Sequence, residues 1–235
     1  RIEHAAIEGT RSPLGMRGVR LSLAIDEIFQ AQLRALLRAA SHGPLRVMFP
    51  FVSSLEELRA ARAAVKQAAD GLRARGDRVP DVPIGVMIEL PSAALTADLL
   101  ALEADFFSIG TNDLIQYTLA VDRTDDRVSR LYEPLHPAII RAIRLVVRAG
   151  RHARIPVAVC GEMAADPVVL ALLVGLGLRE FSMAPTAIPL AKRVLRGLRA
   201  CDARVAAGRA LRARTATEVE KGLSELTEPA ESKRS

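Results

Sequence analysis

Three short apolar runs in the sequence each end abruptly in polar side chains that can take part in chemistry. The side chains at these ends are Glu89, Asn112, Asp113 and Cys160. In a parallel α/β fold the carboxyl ends of the strands meet on one face, and active sites are usually built there. The sequence therefore predicts that side chains from three distant segments share one pocket.

Glu89 and Asp113 form a candidate metal pair. Proteins usually hold Mg²⁺ through one or two carboxylates, while water and substrate phosphate fill its remaining positions. The alternative is structural: Glu89 would cap the helix that starts near Pro91, and Asn112 with Asp113 would only form a turn. The strand positions alone leave both interpretations open.

Three arginines stand where an anion could be bound. Arg17 follows a turn-forming segment, Arg46 lies in an apolar strand-like run, and Arg123 lies in the loop beyond Asp113. A guanidinium offers two parallel donors to phosphate or carboxylate oxygens. Because an unpaired buried charge is very costly, an arginine inside a buried strand must have partners, which makes Arg46 the most informative of the three. Arg17 and Arg123 could equally be ordinary exposed arginines.

Cys160 ends an apolar run and can be interpreted in two ways. Buried cysteines mostly pack as small apolar residues. A thiol that points into the pocket could instead act as an acid or a nucleophile, although no histidine nearby in the sequence suggests a Cys–His dyad. An acid must carry its proton, and an unperturbed thiol does so at neutral pH. Cys201 lies in a helical segment and is expected to be inert.

Alternating strand and helix patterns position these residues. Strands are expected at 45–50, 84–89, 106–109, 155–160 and 180–183. Helices are expected at 18–41, 53–75, 92–102, 137–153, 167–176 and 188–199, with further helix over 202–226. Ser53 and Glu56 would form a capping box at the second of these helices.

The alternation of strands and helices indicates a parallel sheet. Five strands are too few for an eight-stranded barrel, so the fold is either an open sheet or a barrel that lacks its first strands. The sequence begins with Arg1 and not with Met, which favours the second interpretation and a fragment of something longer. We expect one domain over residues 1–235, with a frayed polar tail at 228–235.

Composition argues against several classes of protein. No run of about 18 apolar residues occurs, which argues against a membrane protein. The net charge of +6 comes mainly from arginines scattered along helical stretches, without a basic block interleaved with aromatics, which argues against nucleic-acid binding. Two cysteines and no visible leader segment fit a cytoplasmic protein.

The polar strand ends and the segments around them resemble the C-terminal, phosphoenolpyruvate-binding domain of enzyme I of the bacterial sugar phosphotransferase system. The most specific stretch runs from Ser108 to Arg123. Other matching segments are 13–17, 45–50, 85–91, 159–162 and 180–183. The resemblance covers nearly the whole chain and implies an α/β fold, a (β/α)₈ TIM-type barrel of the phosphoenolpyruvate/pyruvate family that lacks its first strands.

The resemblance also implies roles for individual residues. The metal Mg²⁺ would be held by Glu89 and Asp113. The substrate phosphoenolpyruvate would be bound by Arg17, Arg46, Asn112, Asp113 and Arg123, with Arg17 and Arg46 on the phosphoryl group. Cys160 would be the acid that protonates the enolate carbon.

The implied activity is Mg²⁺-dependent phosphoryl transfer from phosphoenolpyruvate to a histidine, with release of pyruvate. That histidine would lie on an N-terminal domain absent from this chain and would pass the phosphoryl group to a histidine phosphocarrier protein. The barrel would form a homodimer. In the family two strands precede the segment that contains Arg17, and one of them carries another phosphate-binding arginine. We therefore expect the chain alone to be inactive in transfer.

Two alternatives remain at this point. Pyruvate phosphate dikinase and phosphoenolpyruvate synthase share the Gly-Thr-Asn-Asp and Cys-Gly-Glu elements with this sequence. Leu131 to Pro137 and the short C-terminal extension favour enzyme I. The other alternative, from a different class, is a non-catalytic binding or dimerisation module.

Overall fold

A five-stranded parallel sheet is the centre of the fold. The computed structural model describes residues 13–227, with side chains up to residue 223. The strands are β1 Val47–Phe49, β2 Ile84–Ile88, β3 Phe106–Gly110, β4 Val157–Cys160 and β5 Glu180–Phe181. Each pairs in parallel with the next along the chain, in the order β1-β2-β3-β4-β5. The five predicted strands and the parallel sheet are confirmed.

Helices connect the strands and cover the sheet. Their bounds are α1 Gly18–Ala24, α2 Asp26–Ala39, α3 Leu55–Arg73, α4 Pro91–Leu95, α5 Ala97–Leu100, α6 Thr111–Leu119, α7 Pro137–Ala153, α8 Pro167–Leu176, α9 Ile188–Gly197, α10 Ala200–Ala210 and α11 Ala216–Thr227. Short 3₁₀ helices occur at Ala40–His42, Ser129–Leu131, Glu162–Ala164 and Pro185–Ala187. Helices α7 and α8 have the predicted bounds.

No helix within residues 13–227 is both long and apolar enough to cross a bilayer. The predicted tail at 228–235 lies outside the described residues.

The core lies between the strands and the helices that pack on them. The side chains of Val86, Phe107, Ile109 and Val159 are fully buried in the sheet. Every residue of β3 is buried, which is typical of a strand covered on both faces in a parallel sheet. Among the residues whose side chains are described, six buried polar or charged side chains interrupt this apolar core. Four of them lie in β3 or shortly after β2 and β3: Glu89, Ser108, Thr111 and Asp113. Burial of polar groups at these strand ends indicates a functional rather than a packing role.

The cap of α3 differs by one residue from the prediction. Ser54, and not Ser53, is the N-cap, and its hydroxyl accepts a hydrogen bond from the Glu57 backbone N–H at 3.3 Å. The backbone N–H of Ser53 donates to the Glu57 carboxylate at 2.6 Å. Glu57 thus takes the place of Glu56, although its carboxylate accepts from the residue before the N-cap and not from the N-cap itself as in a standard capping box. Two consecutive serines followed by two glutamates make both registers possible in sequence.

Candidate functional site

The structure brings Glu89, Asn112, Asp113 and Cys160 to the same end of the sheet. Glu89 follows β2 directly, Asn112 and Asp113 lie in the first turn of α6 after β3, and Cys160 is the last residue of β4. The parallel register places Ile88 beside Ile109, and Gly110 beside Cys160. The three strands therefore end together.

Glu89 is a buried carboxyl group held by the loop that follows β1. Glu89 is only 7% exposed to solvent, and its Oε1 accepts a hydrogen bond from the Phe51 backbone N–H at 2.6 Å. A Cβ at Gly110 would lie 3.1 Å from the other carboxylate oxygen, so glycine leaves room for it. Burial is the main reason why the pKa of Glu89 is raised to about 7, and the nearby Asp113 carboxylate raises it further. The hydrogen bond from Phe51 and the charge of Arg17 act in the opposite direction but are outweighed.

Arg17 is the cation that faces the two carboxylates. Its Nη2 lies 2.7 Å from Asp113 Oδ2, and Asp113 is 8% exposed. Its Nη1 donates to the Tyr117 hydroxyl at 2.8 Å, and its guanidinium lies 4.8 Å from the centre of the Phe51 ring. The Arg17 side chain is 43% exposed, so it still presents part of its guanidinium to solvent. An anion in the pocket would find this group already oriented.

Asn112 and Arg123 meet at the rim of the site through Glu162. Asn112 Oδ1 accepts from the Glu162 backbone N–H at 3.1 Å, and its Nδ2 donates to the Glu162 carboxylate at 3.4 Å. Arg123 Nη1 lies 3.7 Å from the same carboxylate. Gly161 has φ +100°, and a Cβ there would lie 2.9 Å from Asn112 Oδ1, so this close approach requires glycine.

Cys160 carries a half-buried thiol next to β3. The Ser108 hydroxyl donates to Cys160 Sγ at 3.4 Å, and the thiol donates to the Ile109 carbonyl at 3.4 Å. Burial is the main reason why the pKa of Cys160 is raised above its ordinary value, and the charge of Glu89 adds to this. The thiol is therefore protonated at neutral pH, as an acid requires and a thiolate nucleophile does not.

Arg46 does not belong to this group, contrary to its expected place in the pocket. It directly precedes β1 and lies at the amino end of the sheet, where its Nη1 is 3.9 Å from Glu180 Oε2. Its guanidinium lies 5.5 Å from the centre of the Phe106 ring, and its side chain is 56% exposed. Glu180 and Phe106 are the first residues of β5 and β3. Arg46 is therefore not buried, as a strand arginine was expected to be, and it does not join the carboxylates. Its assignment to the phosphoryl group stays a prediction that this geometry does not support.

Sequence reasoning missed several side chains of the site. Phe51, which has φ +62°, stacks on Arg17 and orients Glu89. The Tyr117 hydroxyl accepts from Arg17, and the Tyr132 hydroxyl donates to the Asn112 carbonyl at 3.5 Å. The strand-end argument, applied to β1, points to Phe51. The contacts of the two tyrosines depend on tertiary packing and left no signal in the sequence.

The two carboxylates suit a hard divalent cation. Glu89 and Asp113 are both buried, and their mutual repulsion contributes to the raised pKa of Glu89. Within the described part of the chain no group of three or more His, Cys, Asp or Glu side chains is arranged to hold a metal. Two carboxylates completed by water and ligand oxygens match the usual environment of Mg²⁺ and not that of zinc.

The raised pKa of Glu89 predicts a pH dependence of stability in the metal-free protein. In the unfolded chain Glu89 loses its proton near its ordinary pKa of 4.5, whereas in the folded chain it keeps the proton up to about pH 7. The folded state therefore binds more protons in this window, and the free energy of unfolding falls as the pH rises through it, by up to about 3 kcal/mol. Urea unfolding at pH 5 and pH 8, in the presence of a chelator, measures the change.

A matched pair of variants isolates the contribution of Glu89. Glu89→Gln keeps an oxygen that can accept from Phe51 but cannot titrate, so this variant should lose that part of the pH dependence. Glu27→Gln, at an exposed position in the first turn of α2, should retain it. Equal pH profiles for the wild type and Glu89→Gln would contradict the pKa given for Glu89.

Comparisons with known proteins identify the family of this chain. Residues 4–200 match the profile of the PEP-binding domain of PEP-utilising enzymes, where PEP is phosphoenolpyruvate. The chain is 46% identical over 218 residues to the phosphoenolpyruvate-protein phosphotransferase of Staphylococcus carnosus, covering 92% of this chain and 38% of that protein. It is 48% identical over 190 residues to the protein of the same name from Priestia megaterium, covering 80% and 33%. The chain thus spans about a third of the length of these relatives.

A solved structure supports the fold. A citrate lyase from Burkholderia xenovorans LB400 aligns with a TM-score of 0.53 and 17% identity, over 88% of this chain and 70% of that one. At this identity the likeness concerns the fold alone. Together with the parallel sheet it confirms the expected α/β class, a TIM-type barrel of the phosphoenolpyruvate/pyruvate family, of which the described residues supply five strands. The chain belongs to the family of phosphoenolpyruvate-binding domains of phosphoenolpyruvate-utilising enzymes.

Proposed function

We propose that this chain is the substrate-binding part of a phosphoenolpyruvate-protein phosphotransferase, enzyme I of a sugar phosphotransferase system. The whole protein would transfer the phosphoryl group of phosphoenolpyruvate to a histidine on a separate N-terminal domain and release pyruvate. The observation that carries this proposal is the pair of buried carboxylates, Glu89 and Asp113, held against Arg17 with the protonated Cys160 thiol at the same strand ends. The name shared by the relatives favours this activity over the dikinase and synthase alternatives.

Glu89 and Asp113 would hold Mg²⁺ in this site. When bound, the metal supplies positive charge that stabilises the phosphoryl and enolate oxygens. Deprotonation of Glu89 must precede metal binding, because its pKa of about 7 leaves it largely protonated in mildly acidic solution. Metal affinity should therefore increase as the pH rises toward 7.

Arg17 would bind the phosphoryl group beside the carboxylates. Phosphoryl transfer spreads negative charge over three equatorial oxygens, and catalysis depends mainly on oriented positive charge around them. Phe51 and Tyr117 hold the Arg17 guanidinium in place before substrate arrives. At the rim, Asn112 and Arg123 would bind carboxylate and phosphate oxygens, displacing their contacts with the exposed Glu162.

Cys160 would complete the reaction as the acid. Loss of the phosphoryl group leaves the enolate of pyruvate, whose methylene carbon must gain a proton. In this step the S–H bond breaks, a C–H bond forms, and the sulfur is left as a thiolate. The raised pKa of Cys160 keeps its proton available, and the Ser108 hydroxyl can donate to the sulfur after the transfer.

The partners follow from the same proposal. The phosphorylated histidine would pass the phosphoryl group to a histidine phosphocarrier protein, and the barrel would act as a homodimer. Both cysteines in the described residues are free thiols, which is consistent with a protein of the reducing cytoplasm.

Titration of the chain with phosphoenolpyruvate, with and without Mg²⁺, tests the proposal directly. Heat of binding that depends on the metal is the expected result. Arg17→Gln should weaken this binding by about tenfold or more, because it removes a charge-assisted contact to the phosphate. Arg46→Gln removes a comparably exposed arginine from the opposite end of the sheet and serves as the matched control. Lack of metal-dependent binding by a chain that circular dichroism shows to be folded, or equal losses in both variants, would contradict the proposed site.

A further inference from the structure

Five arginines line a surface cavity at the end of the sheet opposite the candidate site. The cavity has a volume of about 630 Å³ and lies between α7, the end of α8, and α10. The first residues of β4 and β5 form part of its wall, whereas Cys160 lies at the other end of β4. The five arginines of this cavity, which we call the arginine cavity, are Arg144, Arg148, Arg151, Arg179 and Arg204. Its size is that of a site for a small molecule.

Two of these arginines are fixed by the backbone. Arg144 Nη1 donates to the Leu176 carbonyl at 3.0 Å, and Arg179 Nη1 donates to the Val174 carbonyl at 3.0 Å. These carbonyls belong to the last turn of α8, whose negative end attracts cations. Each guanidinium retains nitrogens that these bonds do not use. The fixed arginines therefore offer oriented donors without further ordering.

The other three arginines have no counter-charge. Among the described residues, Arg148, Arg151 and Arg204 take part in no ion pair and no side-chain hydrogen bond. The one carboxylate that lines the cavity belongs to Glu180, which lies 3.9 Å from Arg46. Arg144, Arg148 and Arg151 also line a neighbouring hollow together with Asp98, which has no basic group of the described residues within 4 Å. The lining of the arginine cavity thus contains five arginines and one carboxylate.

The scaffold beneath the cavity is tightly packed. A Cβ at Gly175 of α8 would lie 2.1 Å from the Ala203 carbonyl oxygen and 2.9 Å from the Ala207 Cβ of α10. Glycine at this position lets the two helices approach closely, and the next residue after Ala203 is Arg204. Arg204 therefore projects from a helix, α10, that is held firmly against α8.

We propose that the arginine cavity binds a small polyvalent anion that carries phosphate groups, at a site separate from the candidate functional site around Glu89 and Asp113. Guanidinium groups pair with phosphate oxygens through two parallel hydrogen bonds, and arginines from three segments can surround more than one phosphate. A bound anion would also relieve the repulsion among the unpaired arginines. None of the residues that line the cavity is aromatic, so bases of a nucleic acid would find no stacking surface there. These features favour a small phosphorylated molecule over an RNA or DNA strand.

Calorimetric titration of the chain with inorganic pyrophosphate, in the absence of metal, tests this proposal. We expect one site per chain that phosphoenolpyruvate does not compete for. The triple variant Arg148→Gln/Arg151→Gln/Arg204→Gln should weaken pyrophosphate binding by about tenfold or more, because it removes the three uncompensated donors. The matched control is Arg75→Gln/Arg193→Gln/Arg196→Gln, which lowers the net charge equally at exposed positions outside the cavity and should leave binding unchanged.

Several results would overturn the proposal. They are no pyrophosphate binding by the wild type, equal losses in the two triple variants, and full competition by phosphoenolpyruvate. Tight binding of a single-stranded oligonucleotide that only the cavity variant loses, without pyrophosphate binding, would instead identify a nucleic-acid surface. Should the triple variant fail to fold by circular dichroism, Arg204→Gln alone applies the same test. Because the arginine cavity and the candidate functional site share no residue, failure of the pyrophosphate test leaves the proposed function unaffected.

Discussion

Under the proposed function, Asp113→Asn in the full-length protein is expected to abolish Mg²⁺-dependent release of pyruvate. The substitution keeps the shape of the side chain but removes one of the two carboxylates that would hold the metal. It also removes the charge that orients Arg17, whose Nη2 lies 2.7 Å from Asp113 Oδ2. Losing both contributions should lower kcat/KM by about a thousandfold or more, since oriented charge is the main source of catalysis in phosphoryl transfer.

Steady-state pyruvate release at increasing Mg²⁺ concentration measures this effect. The variant should fail to recover activity at high metal concentration, since its remaining carboxylate cannot replace the lost ligand. Asp26→Asn, at an exposed position in the first turn of α2, is the matched control and should behave as the wild type. Near-normal turnover by Asp113→Asn, or an unchanged metal dependence, would remove Asp113 from the metal site.

The convergence of the carboxylates was predictable because its signals are local. Glu89 and Asp113 both follow apolar runs long enough to be strands, and strands joined by helices must run parallel. The same rule places their carboxyl ends together without any knowledge of tertiary contacts. What the rule does not provide is the state of each group, such as the raised pKa of Glu89, which depends on how deeply it is buried.

The same rule places Arg46 at the opposite end of the sheet from the carboxylates. It is the second residue of the predicted strand 45–50 and directly precedes the observed β1, so it lies at the amino end of that strand. A residue before a parallel strand and a residue after one are separated by the length of the strand. The phosphoryl role of Arg46 came from the family resemblance and not from its strand position, and a matching segment does not by itself identify the residues that bind substrate.

Contacts between loops could not be predicted from the sequence. Phe51 donates to Glu89 from a loop 38 positions earlier, and Arg17 meets Tyr117 across 100 positions. Such pairs depend on the path of each loop, and a left-handed backbone at a bulky residue such as Phe51 is rare enough that no propensity points to it. The contacts that orient the side chains of the site can therefore be identified only from the structure.

Cys160→Ala in the intact protein is expected to block pyruvate formation while phosphoenolpyruvate binding stays within about threefold of the wild type. In the proposed reaction the thiol would be needed only after the phosphoryl group has left, when the enolate carbon must be protonated. Its hydrogen bonds are with the Ser108 hydroxyl and the Ile109 carbonyl, and among the described residues none joins the thiol to Arg17, Glu89 or Asp113. Loss of a general acid lowers turnover by about 10²–10⁴-fold.

Two measurements on Cys160→Ala separate an acid from a packing residue. Calorimetric titration with phosphoenolpyruvate and Mg²⁺ reports binding, and single-turnover assays report phosphorylation of the histidine and pyruvate release separately. The expected pattern is retained binding with lost pyruvate release, and Cys201→Ala, an exposed cysteine on α10, should match the wild type in both assays. A loss of binding as large as the loss of turnover would show instead that the thiol fills space beside β3. That outcome would leave the metal and arginine assignments intact but would require another proton donor. Tyr132 would be an inefficient replacement, because burial raises its pKa to about 12, far above neutral pH.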